Sequence, residues 1–333
     1  MEKKCGLFRY IVKKCFRMVL LAAAVSVVTF ILMKSSPVDP LQTNVGQTAL
    51  GSMSPEQIEK LRAYWGVGVS PVRQYLSWAL DFLQGDMGTS LLYHQPVAEV
   101  IGERLFNSLF VMAAAWVLSG VLGFVLGVVS AMKQGTFCDR IIKGYCVLIS
   151  AAPTFWLALF LLIIFGVWLG IFPVGLSVPV GTAAAEVTLA DRLLHAVLPA
   201  VTLGIIGVSS IALHTREKML EILDSDYILF ARARGEKGWK LFWDHGLRNA
   251  ILPALTLQFA SISEIFGGAV LVEQVFSYPG LGQAAVTAGL GSDMPLLMGI
   301  VVISSLFVFG GNLTADILYG VIDPRIRRGG ERL

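Results

Sequence analysis

Few side chains in this sequence are placed to do chemistry, and the most conspicuous is a lone carboxylate. Glu264 falls fourteen positions into the apolar stretch 250–272, which as a helix puts it roughly 20 Å from the start of that stretch. An ionised group at that depth is costly unless it faces protein or water. It therefore pairs with a neighbouring subunit, stays protonated, or meets a cationic solute in a path. Downstream, Gly267, Gly268, Glu273, Pro279, Gly280 and Gly282 form a glycine-rich run that permits a turn and close backbone approach, either as passive structure or as part of a gate. Asn312 and Asp316 share one helix face by their spacing, which suits packing against other helices. His94, His195, His214 and His245 are too scattered for a metal site. No Ser-His-Asp, His-Glu-x-x-His or paired-aspartate pattern marks the apolar stretches, and no Gly-x-x-x-x-Gly-Lys-Ser/Thr loop is present to cradle phosphates. What remains is recognition and docking rather than bond making.

A second group of candidates lies in the polar segment 216–248. Met219, Leu220, Leu223, Tyr227, Phe230 and Ala231 recur at intervals of three and four, with Arg216, Glu217, Glu221, Asp224 and Arg232 between them, which predicts an amphipathic helix over 216–234. Gly235 suits a left-handed helix end, and residues 237–242 begin a second short helix. Two helices joined at a glycine make a compact knob, in which Phe230, Ala231, Gly235 and Leu241 supply rigid, buried contacts. Such a charged segment is either a solvated loop or a surface for a partner.

The elements that must position these groups are membrane spans. Of 333 residues 55% are hydrophobic and 15% charged, too little polar surface for an ordinary soluble domain. The net charge of +3 is too mild to imply nucleic acid. Six stretches are long enough to cross about 30 Å of hydrocarbon, near 16–34, 105–132, 141–170, 193–214, 250–272 and 296–320. The first ends at Lys34-Ser35-Ser36-Pro37 without a small-x-small cleavage site, so it reads as an uncleaved span and not a signal peptide. Lys and Arg gather at the N-terminus, in 133–143, in 216–248 and in the tail, whereas 171–192 and 273–295 carry almost none. The positive-inside rule then puts both termini in the cytoplasm.

The chain divides into three parts: residues 1–34 as N-terminus and first span, 35–104 outside, and 105–333 as a five-helix core. In the outer part Ser54-Pro55-Glu56-Gln57 and Ser70-Pro71 read as helix starts of a small cap, which seals the outer ends of the spans or receives a partner. Gly120, Gly123 and Gly127 permit close helix packing. Cys5, Cys15, Cys138 and Cys146 fit neither a metal site nor a disulfide framework and read as reduced thiols.

Arg232-Ala233-Arg234-Gly235, followed by His245-Gly246-Leu247-Arg248-Asn249-Ala250-Ile251-Leu252-Pro253, resembles the coupling segment of permease subunits of binding-protein-dependent ABC importers, in the dipeptide, oligopeptide and nickel branch. The likeness continues in order along nearly the whole chain: Tyr64-Trp65-Gly66, Gly85-Asp86-Met87-Gly88-Thr89-Ser90, Pro153-Thr154-Phe155-Trp156-Leu157-Ala158, Phe172-Pro173-Val174-Gly175, Gly267-Gly268-Ala269-Val270 with Glu273 and Phe276, Tyr278-Pro279-Gly280-Leu281-Gly282 and Asp323-Pro324-Arg325-Ile326-Arg327. It departs at Leu229, Phe230 and Ala231, where the wider superfamily has Glu-Ala-Ala, at Gly68 for Asp and at Tyr278 for Trp.

The resemblance implies an all-α integral membrane protein of six transmembrane helices with an extracytoplasmic helical cap and a cytoplasmic coupling segment, in the inner membrane of a bacterial or archaeal cell. It implies half of a translocation pathway for a di- or oligopeptide delivered by an extracytoplasmic solute-binding protein, with nickel or a metallophore complex as the alternative cargo. The implied partners are a second homologous permease subunit, most simply as a heterodimer, and two ATPase subunits that dock on 216–248. ATP and Mg sit on those ATPases and this chain holds no cofactor. Coupling falls to Tyr227, Phe230, Ala231, Arg232, Ala233, Gly235, Leu241, His245, Arg248, Asn249 and Pro253, and the solute path or gate to Glu264, Gly267, Gly268, Glu273, Pro279, Gly280 and Gly282. An ion-coupled secondary transporter is the alternative of another class, but it would show a relay of intramembrane ionisable groups, whereas Glu264 stands nearly alone.

Overall fold

The computed structural model describes residues 2–36, 43, 53–64, 69–181 and 186–322. The motif residues Trp65, Gly66 and Gly68 and the run Asp323-Pro324-Arg325-Ile326-Arg327 lie outside the described residues. The elements are α1 (Glu2–Ser35), α2 (Pro55–Tyr64), α3 (Pro71–Leu83), α4 (Val97–Met132), α5 (Phe137–Ala151), α6 (Thr154–Leu161) continued as a π-helix over Leu162–Trp168, α7 (Leu189–Leu223), α8 (Asp226–Ala233), α9 (Gly238–Leu241), a π-turn over Phe242–Gly246, α10 (Leu247–Ala260), α11 (Ile262–Val275), α12 (Leu281–Leu290) and α13 (Met294–Ile322). The class is all-α, as the sequence predicts.

Among the described residues, four single runs are long and apolar enough to cross a membrane: Val12–Ser35 in α1, α4, α7 and Met294–Ile317 in α13. The other two expected spans are not straight. Stretch 141–170 is α5 followed by α6 and its π continuation, bent by 107°, and 250–272 falls on a pair bent by 46°. Counting each bent pair once gives up to six spans. The first bend has a simple cause. Pro153 disfavours helical backbone at Ala152, which takes φ −82°, ψ 128°. At the second, Ser261 Oγ donates to the Gln258 carbonyl at 2.9 Å, a back-bond that bends helices. The straight spans also overrun their expected limits, α4 beginning at Val97 rather than 105 and α7 ending at Leu223 rather than 214.

The chain forms two compact units, Met1–Asn107 with Gly280–Phe309, and Ser108–Pro279 with Gly310–Leu333. In the first, α2 opens with the reciprocal cap its sequence predicts: the Ser54 amide donates to Gln57 Oε1 at 2.9 Å and the Gln57 amide to Ser54 Oγ at 3.3 Å. Ser70 differs, since its side chain caps nothing and α3 starts on Pro71 alone. Helix α3 packs on α1 through Tyr75, which stacks edge-on to Phe30 at 5.4 Å and hydrogen-bonds Ser26 at 2.8 Å. A core of Val97, Val100, Ile101, Leu281, Ala284, Ala288, Leu296 and Ile300 joins the start of α4 to α12 and α13. The buried Asp293 carboxylate pins the 85–96 loop there, accepting from Ser90 Oγ at 2.6 Å and the Leu92 amide at 3.0 Å.

The second unit is built on the crossing of α4 and α7. A Cβ added at Gly123 would stand 2.8 Å from Ile211 Cβ, and one at Gly127 2.6 Å from the Ala212 carbonyl oxygen. Those glycines allow near backbone contact, as their spacing predicts. Trp116 Nε1 donates to the Gln258 carbonyl at 2.7 Å and so ties α4 to α10. Asn312 accepts from Ser263 Oγ at 2.8 Å, which gives that polar side chain the packing role expected of it.

Candidate functional site

The polar segment is not one helix followed by a short one. α7 itself runs on to Leu223, and the predicted 216–234 helix breaks at Asp224-Ser225, where Ser225 Oγ donates to the Ile222 carbonyl and the chain restarts as α8. α8 ends as Gly235 predicts. Gly235 has φ +94°, its amide donates to the Arg232 carbonyl at 2.9 Å, and the Glu236 amide reaches the Ala231 carbonyl at 3.2 Å. These are the two bonds of a Schellman end. Gly238, at φ +62°, then opens α9.

Ile228, Ala231, Leu241 and Phe242 are all buried, and they join Val128, Ala131, Met219, Leu223 and Ala250 in one apolar core under the knob. Tyr227, Leu229, Phe230, Trp239 and Trp243, four of them aromatic, are exposed on the same segment. Phe230, expected among the buried contacts, is 67% exposed. It lies on the face of α8 opposite Ile228 and Ala231, so Ala231 and Leu241 supply the core and Phe230 the surface.

Polar bonds finish the knob. His245 Nε2 meets Glu236 Oε2 at 2.8 Å, and Asn249 Nδ2 donates to Tyr227 Oη at 3.0 Å and to the His245 carbonyl at 3.2 Å. Tyr227, Gly235, His245 and Asn249 are therefore brought together, with Arg232, Ala233 and Arg248 exposed around them. Pro253 lies one turn further along α10, the helix that also carries Arg248 and Asn249. Sequence reasoning passes over Glu236, Ile228 and Phe242. Ile228 follows from the restarted helix phase after Ser225, which stands at the N-cap position of α8.

The path candidates divide. Glu264 is exposed on α11, with no hydrogen bond or ion pair among the described residues, and Ala260, Gly267 and Leu271 are exposed with it at spacings of three and four. A Cβ added at Gly267 would meet nothing, so the stripe is open around the carboxylate. Gly268 faces inward instead, against Leu203 of α7 and Thr154 of α6.

Glu273 is a buried carboxylate, 1% exposed, that accepts from Ser108 Oγ of α4. Beyond it Ser277 takes φ +46° and the Tyr278 amide returns to the Glu273 carbonyl at 2.9 Å, a Schellman end made without glycine. Burial, and secondarily the Glu273 charge, push the Tyr278 hydroxyl up to about 12. The 172–176 loop closes on this end. The Leu176 amide donates to the Phe276 carbonyl at 3.1 Å, His195 Nδ1 meets the Gly175 carbonyl at 2.9 Å, and a Cβ at Gly175 would overlap the Phe276 carbonyl oxygen. Pro279 belongs to this second unit, while Gly280 and Gly282 are buried at the start of α12 in the first. Gly280 is its N-cap, with extended backbone.

Long apolar helices, two of them joined by a braced polar segment, fit a membrane transport subunit. The chain belongs to the family of binding-protein-dependent transport system inner membrane components, which matches residues 123–328, and the N-terminal component of the same family matches residues 7–111. It is a permease subunit of an ABC importer. Over 318 residues it is 36% identical to the oligopeptide transport system permease protein AppB of Bacillus subtilis, spanning 95% of this chain and 98% of that protein. It is 33% identical over 321 residues to a putative peptide transport system permease protein of Brucella abortus, across 95% of this chain and 98% of the relative. It is also 33% identical over 324 residues to the metal-staphylopine import system permease protein CntB of Staphylococcus aureus, across 97% and 99%.

Proposed function

We propose that this chain forms half of the pathway of an importer whose solute is a peptide, handed over by an extracytoplasmic binding protein. The observation that carries the reading is the 226–246 knob. Five exposed apolar or aromatic residues, Tyr227, Leu229, Phe230, Trp239 and Trp243, stand on a frame locked by Ile228, Ala231, Leu241 and Phe242. A rigid aromatic patch rimmed by charges is the composition of a docking surface. Its occupant is an ATPase subunit carrying ATP and Mg, one of a pair, and the second membrane half is a homologous permease. The distribution of Lys and Arg supports cytoplasmic termini and an outer cap formed by α2 and α3.

Peptide as cargo is supported by the names of AppB and the Brucella relative. Glu264 suits it, because an open carboxylate in an apolar span can meet a peptide's protonated amino terminus. CntB, similar over nearly the whole chain, supports a metal chelate as the second reading. The test is uptake of a radiolabelled alanine tripeptide by cells with and without the chain. Uptake should require the chain, fall on ATP depletion, and persist when ion gradients are dissipated. Uptake that tracks the ion gradient would overturn the ATP-driven reading, and dependence of chelated-nickel uptake alone on the chain would move the cargo to the second reading.

A further inference from the structure

We propose that Arg216 and Asp139 form the strut through which the coupling segment moves the bent α5–α6 span, an inference that rests on the coupling reading of 216–248. Asp139 lies in the first turn of α5 and is fully buried. Arg216 of α7 grips it with two hydrogen bonds, Nε to Oδ1 at 2.8 Å and Nη2 to Oδ2 at 3.0 Å. Ser130 Oγ at the end of α4 donates to Oδ1, and the Gly135 amide to Oδ2 at 3.0 Å. Lys143 stands 3.6 Å away on the next turn of α5. One carboxylate thus ties α4, the following turn, α5 and α7 together. Apolar residues of similar size would hold these helices as well or better. A planar, bidentate pair adds direction, fixing how one helix must follow another.

The order of contacts sets which helix drives which. Arg216 is one turn before Met219, which belongs to the core under Ile228, Ala231, Leu241 and Phe242. The residue before it, Thr215, backs onto Gly127 of α4, where an added Cβ would come within 2.6 Å. That crossing keeps α7 from sliding along α4, so a push on the knob tilts α7 as a rod. The Asp139 link obliges α5 to tilt with it. Through the Ala152-Pro153 bend α5 leads into α6, and α6 packs on α11, its Thr154 methyl lying 3.9 Å from where a Cβ at Gly268 would be. The strut therefore joins the docking face to the helix that carries Glu264.

The test uses the full chain in its assembled complex, with partner permease, ATPases and binding protein, in lipid nanodiscs. Spin labels are placed at exposed Phe155 in α6 and exposed Leu80 in α3, and the label distance is compared without nucleotide and with Mg-ATP plus vanadate. An ATP-dependent shift is expected in the unsubstituted chain. Arg216→Lys keeps the charge and loses the fork, and Asp139→Asn keeps the shape and loses the charge. Each should cut the fraction of complexes that shift by about tenfold, with complex yield near its normal level. A full shift in both variants overturns the strut. Failure of both to assemble overturns it too, the pair then serving only to hold the chain together. Gly235→Val separates this from the reading beneath it: if that variant also shifts fully, the coupling role of 216–248 fails, whereas loss of the shift there alone removes the strut and keeps the coupling.

Discussion

Gly235 offers the cleanest perturbation of the knob, because its requirement is conformational alone. Its φ of +94° lies where side chains with a Cβ are strained, yet a Cβ there would meet no atom within 4 Å. Substitution therefore tests backbone strain without any clash. Placing an L-residue in the left-handed region costs about 1–2 kcal/mol, and the two bonds that close the helix end, 2.9 and 3.2 Å long, are worth about 1 kcal/mol each if they open. A loss of about one to two kcal/mol shifts a folded-to-frayed ratio by about 5- to 30-fold. The β-branched Val is the worst choice, Ala intermediate, and Asn the best tolerated of the three, since it visits left-handed backbone most readily. The assay is solute-stimulated ATP hydrolysis and uptake by the reconstituted complex, with the amount of assembled complex measured beside it. Activity per complex should fall in the order Gly, Asn, Ala, Val at constant yield. Equal activity for Gly235→Val and the unsubstituted chain, or a greater loss in Asn than in Ala, would refute the claim that this turn sets the docking geometry.

Gly175→Ala should part the 172–176 loop from the helix end at Phe276, at the cost of about 1 kcal/mol for the Leu176 bond and as much again in packing; a melting temperature unchanged within error would show that the loop yields freely. Glu264→Gln keeps size and removes charge, so uptake of a tripeptide with a free amino terminus should drop severalfold while its acetylated form is less affected, and equal losses for both would deny the charge contact. A cysteine at Gln57 should react with an impermeant thiol reagent in intact cells and one at Lys237 only after the membrane is opened; the reverse pattern would invert the chain.

Composition alone carried the class, because helices in lipid must be apolar over a fixed length. Gly235, Ser54 and Gln57 were equally legible, since a local backbone requirement and a local cap leave local marks. The two bends were harder. Pro153 stands in plain view, but whether a proline kinks a span or breaks it by 107° depends on what lies beneath. The 224–225 break reversed the face on which Phe230 lies, an error of phase that periodicity alone cannot correct once the helix restarts. Asp139 and Arg216 are 77 positions apart, and neither residue alone announces a buried pair. Glu273 was marked as a path or gate candidate and stands buried against Ser108, a partner on another helix that no spacing reveals.

The break at Ala152-Pro153 falls near the middle of an apolar stretch, and there the last carbonyls of one helix and the first amides of the next lose their intrahelical partners. Hydrocarbon supplies nothing to replace them, so such backbone persists only where protein or water covers it. Newly made copies in excess of the other subunits would carry that gap into bare lipid. At this break the span depends on a covering surface that an unbroken apolar helix would not need.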